Sequence, residues 1–571
     1  MYPKLTRIKK SNGREIVYLR LIEKYYQDGK QKERVIANLG RQDVEGRRAL
    51  GELLKRLRRF TDEILVTPEE IEAKKVMEYG VLVVIKKLWE EIGLGRWIRK
   101  SCGKERNGLG EAGVLAMVSN RLIEPKSELG LCEWLEGVYL PDFGSRFREG
   151  KLKSRADRFY YTLDWLINGK EKIEEQIYFW ARRLFPVDVV FYDITNVQFE
   201  GSKVKIGRRG YIRLGKKNHL QVLLGLVMVE GLPVAHYVFR GNRAEKSSLV
   251  WVKKKLKEKY NLGRVIFVID RGMISVSNLE ELEKEDGYIV AMKRRRDEEV
   301  KMLVESGEDG FTKIKENLFA KEVEINSDGK RRVICINTER AKEEKEKRDS
   351  IIQELGQELI ELKERVDSGR IKQQKVIVSC CERILNKKHG KRYFSYEVGD
   401  GKFEFRQKKE SIEYEEKIDG KFMIKTTEKA LSLEEIVLRY KDLMDIEDAF
   451  RDIKDFIKVA PLYHRLSKRV KAHIFICVLA LLVQRYMEKK ISESKVKISS
   501  EKALAKLKTI KVVINQVGNL YLKYVVVPTK ELEVILRAFG IPKLPKILSE
   551  VSDETFSQER FPCFGAINEP R

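Results

Sequence analysis

The order of apolar and polar positions divides the chain into stretches of different period. Residues 1–45 alternate in strand fashion, with Asp28-Gly29 between two β-rich runs, the signature of a hairpin. From 46 to 182 the period is helical, and Trp134, Trp165 and Trp180 fall at apolar positions that predict core. The texture changes near residue 187. VDVVFYDITN is a nearly continuous apolar run, the pattern of a strand buried on both faces, and it is expected to end in Asp193. Two more strands, HLQVLLGLVMVE and LPVAHYVFRGN, flank a Glu230-Gly231 turn. EKSSLVWVKKKLKEKY reads as a helix and RVIFVID as a second buried strand ending in Asp270. Ser277 and Glu280 have the spacing of a cap for the next helix, and YIVAMKR is another strand. The predicted order is β-β-β-α-β-α-β, a mixed sheet with a parallel portion. Both aspartates then stand at C-terminal ends of buried strands, where α/β sheets place their chemistry.

Residues 300–430 break this rhythm. Short β runs flank a charged helix whose Ile351, Leu355, Leu359 and Leu362 form one apolar seam, which fits a two-helix hairpin or a partner-binding helix. The region reads as an insertion. After it comes SLEEIVLRYKDLMDIEDAFRDIKDFIKVAP, residues 432–461. Ser432 and Glu435 form a capping box, and no Gly or Pro follows until Pro461, which predicts one helix of about 26 residues. At roughly 100° per residue, Tyr440, Glu447, Arg451 and Lys454 share one edge of it. Leu443, Ile446, Phe450, Ile453 and Ile457 form the apolar stripe alongside. An aromatic hydroxyl, a carboxylate and two cations on the rim of a core-facing surface mark a site. Beyond it, HIFICVLALLVQRYMEKK reads as a buried helix. His473 and Cys477 share a face one turn apart on it, and with no third ligand they read as core. Residues 500–571 hold a basic helix, the strand-like NLYLKYVVVP and a tail.

Composition adds a partner. The 115 Lys and Arg against 88 Asp and Glu leave a net charge of +27, which favours a polyanion, nucleic acid ahead of membrane. The 7 cysteines are scattered without a C-x-x-C pair, which argues for a reducing compartment and against a structural zinc site. No signal peptide opens the sequence, and the apolar run around Ile474–Val483 is too short to span a bilayer, so a cytoplasmic location without membrane contact is expected. Gly210-x4-Gly215-Lys216 imitates a P-loop, but Lys217 replaces the Ser or Thr and the segment precedes a strand, so it reads as a basic loop.

Asp193, Asp270 and Glu447 therefore come from two strand ends and one helix. Three converging carboxylates repel unless cations neutralise them, and hard oxygen ligands suit Mg²⁺ or Mn²⁺. Two such ions about 4 Å apart can activate a water or a 3′-OH on one side of a phosphodiester and stabilise the leaving oxygen on the other.

In this combination the chain resembles the DDE transposases of bacterial and archaeal insertion sequences, which have an RNase H-like catalytic core. The helix resembles the signature Tyr-x2-Arg-x3-Glu-x6-Lys of one branch, with Tyr440, Glu447 and Lys454 in register. DRGM at 270–273, NRLIEPKS at 120–127 and IDG at 418–420 are further likenesses. The resemblance implies Asp193, Asp270 and Glu447 as ligands of two Mg²⁺ (or Mn²⁺) ions, with Tyr440 and Lys454 holding DNA phosphates. Leu443 stands where the signature has Arg, a contact that Arg451 would have to supply. Some relatives hold a flipped base with a tryptophan in the insertion; this chain has no Trp after Trp251, which leaves Tyr393, Phe394 or Tyr396 for the purpose.

The implied domains are a basic β-hairpin region (1–45), a helical DNA-end-binding region (46–182) and the first part of the RNase H-like core (183–299). A β-rich insertion (300–430), the catalytic-helix part of the core (431–500) and a C-terminal region suited to dimerisation (501–571) complete the chain. The implied activity is binding of terminal inverted repeats, hydrolysis at the element's ends and joining of the 3′-OH to target DNA. A homodimer in a paired-end complex, associated with a prokaryotic nucleoid, would carry it out. A metal-dependent nuclease of the same fold without strand transfer, or an inactive, co-opted DNA-binding protein, are the alternatives.

Overall fold

Asp28 and Gly29 both take left-handed backbone (φ 54° and 70°), as a two-residue turn between twisted antiparallel strands requires. The turn joins β2 (Glu15–Gln27) to β3 (Lys30–Arg41), and β1 (Tyr2–Lys9) pairs along the other side of β2. A helix, Val44–Leu57, follows. The structure, a computed structural model, describes every residue outside 58–59, 61–70, 185–188, 201–203, 210–219, 244–245, 261–263, 271–274, 293–301, 303, 305, 308, 324–328, 518–519 and 553–571. The P-loop-like segment 210–217 and the Arg271–Met273 part of DRGM thus lie outside the described residues.

The chain divides into two units, one of Met1–Met77, Lys511–Val527 and Leu544–Arg571, the other of Glu78–Ile510 and Pro528–Lys543. The helical reading of 46–100 fails at Ile71–Glu78, which is a strand, β4. Its sheet partners come from the far end of the chain, and such a pairing leaves no local period to read.

The second unit has a helical layer and a large sheet. Helices Gly80–Ile92, Leu94–Cys102, Gly110–Ile123, Glu128–Trp134 and Leu152–Leu184 pack with the long helix Ser467–Glu493. That last helix is apolar and long enough to cross a membrane, yet 89% of its apolar window is buried inside the protein. Trp134 and Trp180 are buried; Trp165 is half-buried and donates its indole N–H to the Gly103 carbonyl at 3.2 Å.

Between Val189 and Ala291 come β5 (Val189–Gln198), β6 (Gln221–Val229), β7 (Leu232–Arg240), helix Lys246–Tyr260, β8 (Ile266–Ile269), helix Val276–Glu283 and β9 (Gly287–Ala291). Strands β5, β8 and β9 are mutually parallel; β6 and β7 extend the sheet antiparallel from β5. Two local expectations change. Strand β5 does not end at Asp193 but runs on to Gln198, because β6 keeps pairing with it after β8 has ended. The helix at 276 is capped by Ser275, which accepts the Asn278 N–H at 3.2 Å, and not by Ser277.

The stretch 300–430 is only partly an excursion. Strands β10 (Thr312–Lys315), β11 (Leu318–Val323), β12 (Arg331–Asn337) and β15 (Lys421–Thr426) join the core sheet, giving nine strands in the order β10-β11-β12-β15-β9-β8-β5-β6-β7. What leaves the sheet is the helix Thr338–Asp367, the helix Gln374–Asn386 and the hairpin of β13 (Phe394–Gly399) and β14 (Lys402–Gln407). Leu355, Leu359 and Leu362 close a separate small core with Ile377, Cys381 and Phe403, so the apolar seam serves packing between the two helices.

After residue 510 the chain returns to the first unit as β16 (Lys511–Val517), β17 (Leu520–Val525) and β18 (Ile547–Ser552), which with β4 form a four-stranded sheet.

Candidate active site

The parallel ladder between β5 and β8 ends at the pair Tyr192 and Ile269. Asp193 and Asp270 are each the next residue on, Asp193 within β5 and Asp270 directly after β8, so the register brings the two to neighbouring positions. Both are half-buried. On the far side of β8, Ile269 pairs with Val290, which sets the small Ala291 beside Asp270. Two carboxylates at one end of a parallel ladder bring several oxygen donors to one place. Their hard oxygens are the donors Mg²⁺ and Mn²⁺ take, so the residues fit such an ion.

The helix over this point is built as its sequence directs at the start only. Ser432 Oγ accepts the Glu435 N–H at 3.1 Å and Glu435 Oε2 accepts the Ser432 N–H at 2.8 Å, a complete capping box. It is not one helix of 26 residues. Leu433–Lys441 stops, a new segment Leu443–Arg451 begins, and Asp452–Phe456 widens into a π turn. At the first break the Asp445 N–H bonds the Asp442 carbonyl, a tightened i to i+3 turn. Hydrophobic periodicity does not register such changes of pitch, because the apolar stripe survives them: Leu443, Ile446, Phe450, Ile453 and Ile457 are all buried. The flanks are acidic. Burial raises the carboxyls of Asp442 and Asp445, and pushes Asp452 up to about 6 although Arg485 lies 2.8 Å away.

One cleft of about 310 Å³ brings Asp270, Tyr440 and Glu447 together, Glu447 exposed and the other two half-buried. Asp193 neighbours Asp270 in the sheet but does not line the cleft, although the segment Leu443–Arg451 packs on its strand. Arg451 and Lys454 also lie outside it. Arg451 is exposed and ion-paired with Asp448, and Lys454 belongs to the π turn. Leu443, where the helix signature has Arg, is 4% exposed and lines the cleft as wall.

Further lining comes from residues that sequence reasoning missed. Phe422 of β15 sets its ring 5.8 Å from that of Tyr440, and Arg340 and Lys441, the latter next to Tyr440 on its helix, add cations. Arg340 is held at the first turn of its helix, where Asn337 Oδ1 caps the Arg340 N–H at 2.9 Å. The Asn-cap is visible in the sequence; its proximity to Tyr440 arises only once β12 and β15 pair. IDG secures this wall. Asp419 accepts two bonds from Arg348 Nη1 (2.8 and 2.7 Å), and Gly420, with φ 66°, accepts the Asn337 N–H at 3.0 Å. NRLIEPKS is likewise architectural. Arg121 donates to the carbonyls of Lys126 (2.8 Å) and Lys458 (3.2 Å), the latter just past the π turn. Tyr393 and Phe394 are buried in the small core of the excursion, and the Tyr396 hydroxyl donates to Glu382 at 2.7 Å.

Residues 186–483, just over half of the chain, match the family of the transposase DDE domain. The chain belongs to the DDE transposases. Residues 4–70 match the IS1634 family transposase, N-terminal domain, so this transposase is of the insertion-sequence type. No curated protein matches it. Among solved structures it is similar to the piggyBac transposase synaptic complex with hairpin DNA, at 8% identity and a TM-score of 0.35 over 76% of this chain and 82% of that one. It is also similar to the Mos1 transposase paired-end complex with left transposon end, at 12% identity and a TM-score of 0.13 over 43% and 68%. Neither score is high enough to bear on the fold. The family match makes the chain an enzyme of the nuclease and transposase class, in which divalent metal ions are the general rule.

Proposed function

We propose that this transposase cuts the phosphodiesters at the ends of its element and joins the freed 3′-OH to target DNA, with Asp193, Asp270 and Glu447 as its catalytic carboxylates. The observation that carries the reading is the register of β5 and β8, which makes Asp193 and Asp270 neighbours beneath the helix that bears Glu447. The run of three strands, helix, strand, helix and strand before that helix supports an RNase H-like core. These three residues would hold two Mg²⁺ or Mn²⁺ ions, whose chemistry when bound is to acidify the attacking hydroxyl and stabilise the leaving oxygen. Tyr440 offers a phenol to a phosphate oxygen from the cleft wall, and Arg451 and Lys454 carry cations further along the same chain segment. The +27 charge supports contact with flanking and target DNA, and the N-terminal region, with its basic sheet, is the reading for terminal-repeat binding. A homodimer in a paired-end complex goes with that reading.

The test is Glu447→Gln, which keeps shape and removes a charged oxygen ligand. End cleavage should fall at least roughly 1000-fold while binding to an end-containing duplex stays within about twofold. Cleavage that survives the change would remove Glu447 from the catalytic set. Pre-cleaved ends offered with target DNA decide the second half: joining supports a transposase acting through strand transfer, and cutting without joining leaves a nuclease.

A further inference from the structure

His473, which sequence spacing pairs only with Cys477, meets two other ligands in space. Glu128 opens the helix Glu128–Trp134 directly after NRLIEPKS, and His464 lies in the segment before the helix that carries His473. Glu128 Oε1 is 3.1 Å from His464 Nε2 and 3.7 Å from His473 Nδ1, and the two ring nitrogens are 3.3 Å apart. All three residues are buried. Two of the edges, 3.1 and 3.3 Å, lie close to the edge of about 3.3 Å that a tetrahedral ion makes with bonds of about 2.0–2.1 Å to nitrogen and oxygen, and the third is longer at 3.7 Å. Beside them is a cavity of about 10 Å³ lined by Glu128, His473, Asn120 and Arg121, room on the scale of one water and so for a fourth ligand.

We propose that Glu128, His464 and His473 form a second metal site, separate from the cleft, that takes Zn²⁺. Two imidazoles and one carboxylate suit zinc and its transition-metal neighbours, whereas Mg²⁺ takes oxygen donors and keeps its waters. The ion binds when the two ring nitrogens that face it carry no proton and the carboxylate is ionised, so uptake releases any proton held there. Its effect is a cross-link. The helix after NRLIEPKS, the segment that follows the π turn and the buried helix 467–493 become joined at one point, and the last two follow in sequence the part of the chain that carries Glu447 and Lys454. The scattered cysteines argue against a cysteine-type zinc site, and this ligand set needs none.

The experiment uses the full-length, untagged transposase, stripped with a chelator and titrated with Zn²⁺ against a chromophoric competitor, then with Co²⁺ as a spectroscopic stand-in. One equivalent should bind tightly enough to survive gel filtration. Bound Co²⁺ should show the strong visible absorption of four-coordination, and Zn²⁺ should raise the thermal midpoint. His464→Gln and, independently, Glu128→Gln should each weaken uptake by roughly 100-fold or more, while Asp270→Asn and Glu447→Gln keep it. The pair of ligand variants guards against one of them failing to fold, since a soluble variant with the far-UV spectrum of the parent is enough. Uptake unchanged in both ligand variants, a weak six-coordinate Co²⁺ spectrum, or no zinc retained by the parent would overturn the site. Loss of uptake in the Asp270 and Glu447 variants would assign the zinc to the catalytic cleft instead.

Discussion

Tyr440 separates two contributions of one side chain. Its ring packs against Phe422 on the cleft wall, and its hydroxyl is the group we propose meets a DNA phosphate. Tyr440→Phe should therefore leave the thermal midpoint near that of the parent. It should slow end cleavage roughly 10- to 100-fold, the worth of about 1.5–3 kcal/mol for a hydrogen bond to a charged acceptor. Single-turnover cleavage beside a melting curve checks both halves; a slowed enzyme that also melts early would make the tyrosine a packing residue. Leu443 illustrates what sequence could and could not say at this scale. That it departs from the helix signature is plain in the residues, and its apolar neighbours foretell burial. That it forms the wall of the cleft follows only from the sheet beneath it.

At the level of elements, the strands that carry the aspartates were legible because strands buried on both faces write themselves as apolar runs. The extent of β5 was not, since it depends on which neighbour keeps pairing. The break at Asp442 and the π turn were hidden for a related reason: a stripe of apolar residues tolerates small changes of pitch. The assignment of β12 and β15 to the core sheet was also out of reach, because their partners are set by topology. Gly420 is the element-scale residue with most at stake. It has φ 66°, and a Cβ there would stand 2.3 Å from the Asn337 carbonyl oxygen. Gly420→Ala should cost about 2 kcal/mol or more, and because Asn337 caps the helix that holds Arg340, it should also reduce cleavage. Denaturant unfolding of the purified variant measures the first effect; a stability equal to the parent's would show that the turn relaxes freely.

For the whole molecule, the second unit is tied through its interior by a buried charge cluster that no local pattern announced. Glu174 of the helix Leu152–Leu184 lies 2.8 Å from the Nδ1 of His236 on β7, and Lys170 and Lys259 approach the same carboxylate at 2.7 and 2.9 Å. The His236 ring stacks on Phe475 of the central helix at 5.4 Å. Burial, with the charge of Lys170, holds the ring down to about 4, and although burial opposes it, Lys170, His236 and Lys259 keep Glu174 well below the usual carboxylate range. The unfolded chain therefore takes up a proton near pH 6.5 that the folded chain refuses until about 4, so stability falls as pH drops through that interval. The loss from this one histidine is roughly 3 kcal/mol, and His236→Gln should flatten that part of the profile. Urea midpoints from pH 7 to pH 4 provide the measurement; an unchanged slope in the variant would move the effect to other groups.

The Asn337 N–H and the Gly420 carbonyl, 3.0 Å apart, mark where the chain leaves the large sheet and where it comes back. Everything between them departs and returns through one doorway while keeping a small core of its own. Lengthening a chain between two points that stay fixed costs only slowly rising entropy. A descendant of this transposase could thus enlarge, trim or exchange that excursion without shifting the register that aligns Asp193 with Asp270. The doorway itself is less free. Asn337 and Arg340 stand in the cleft wall, so material grafted too close to the threshold would reshape the cleft.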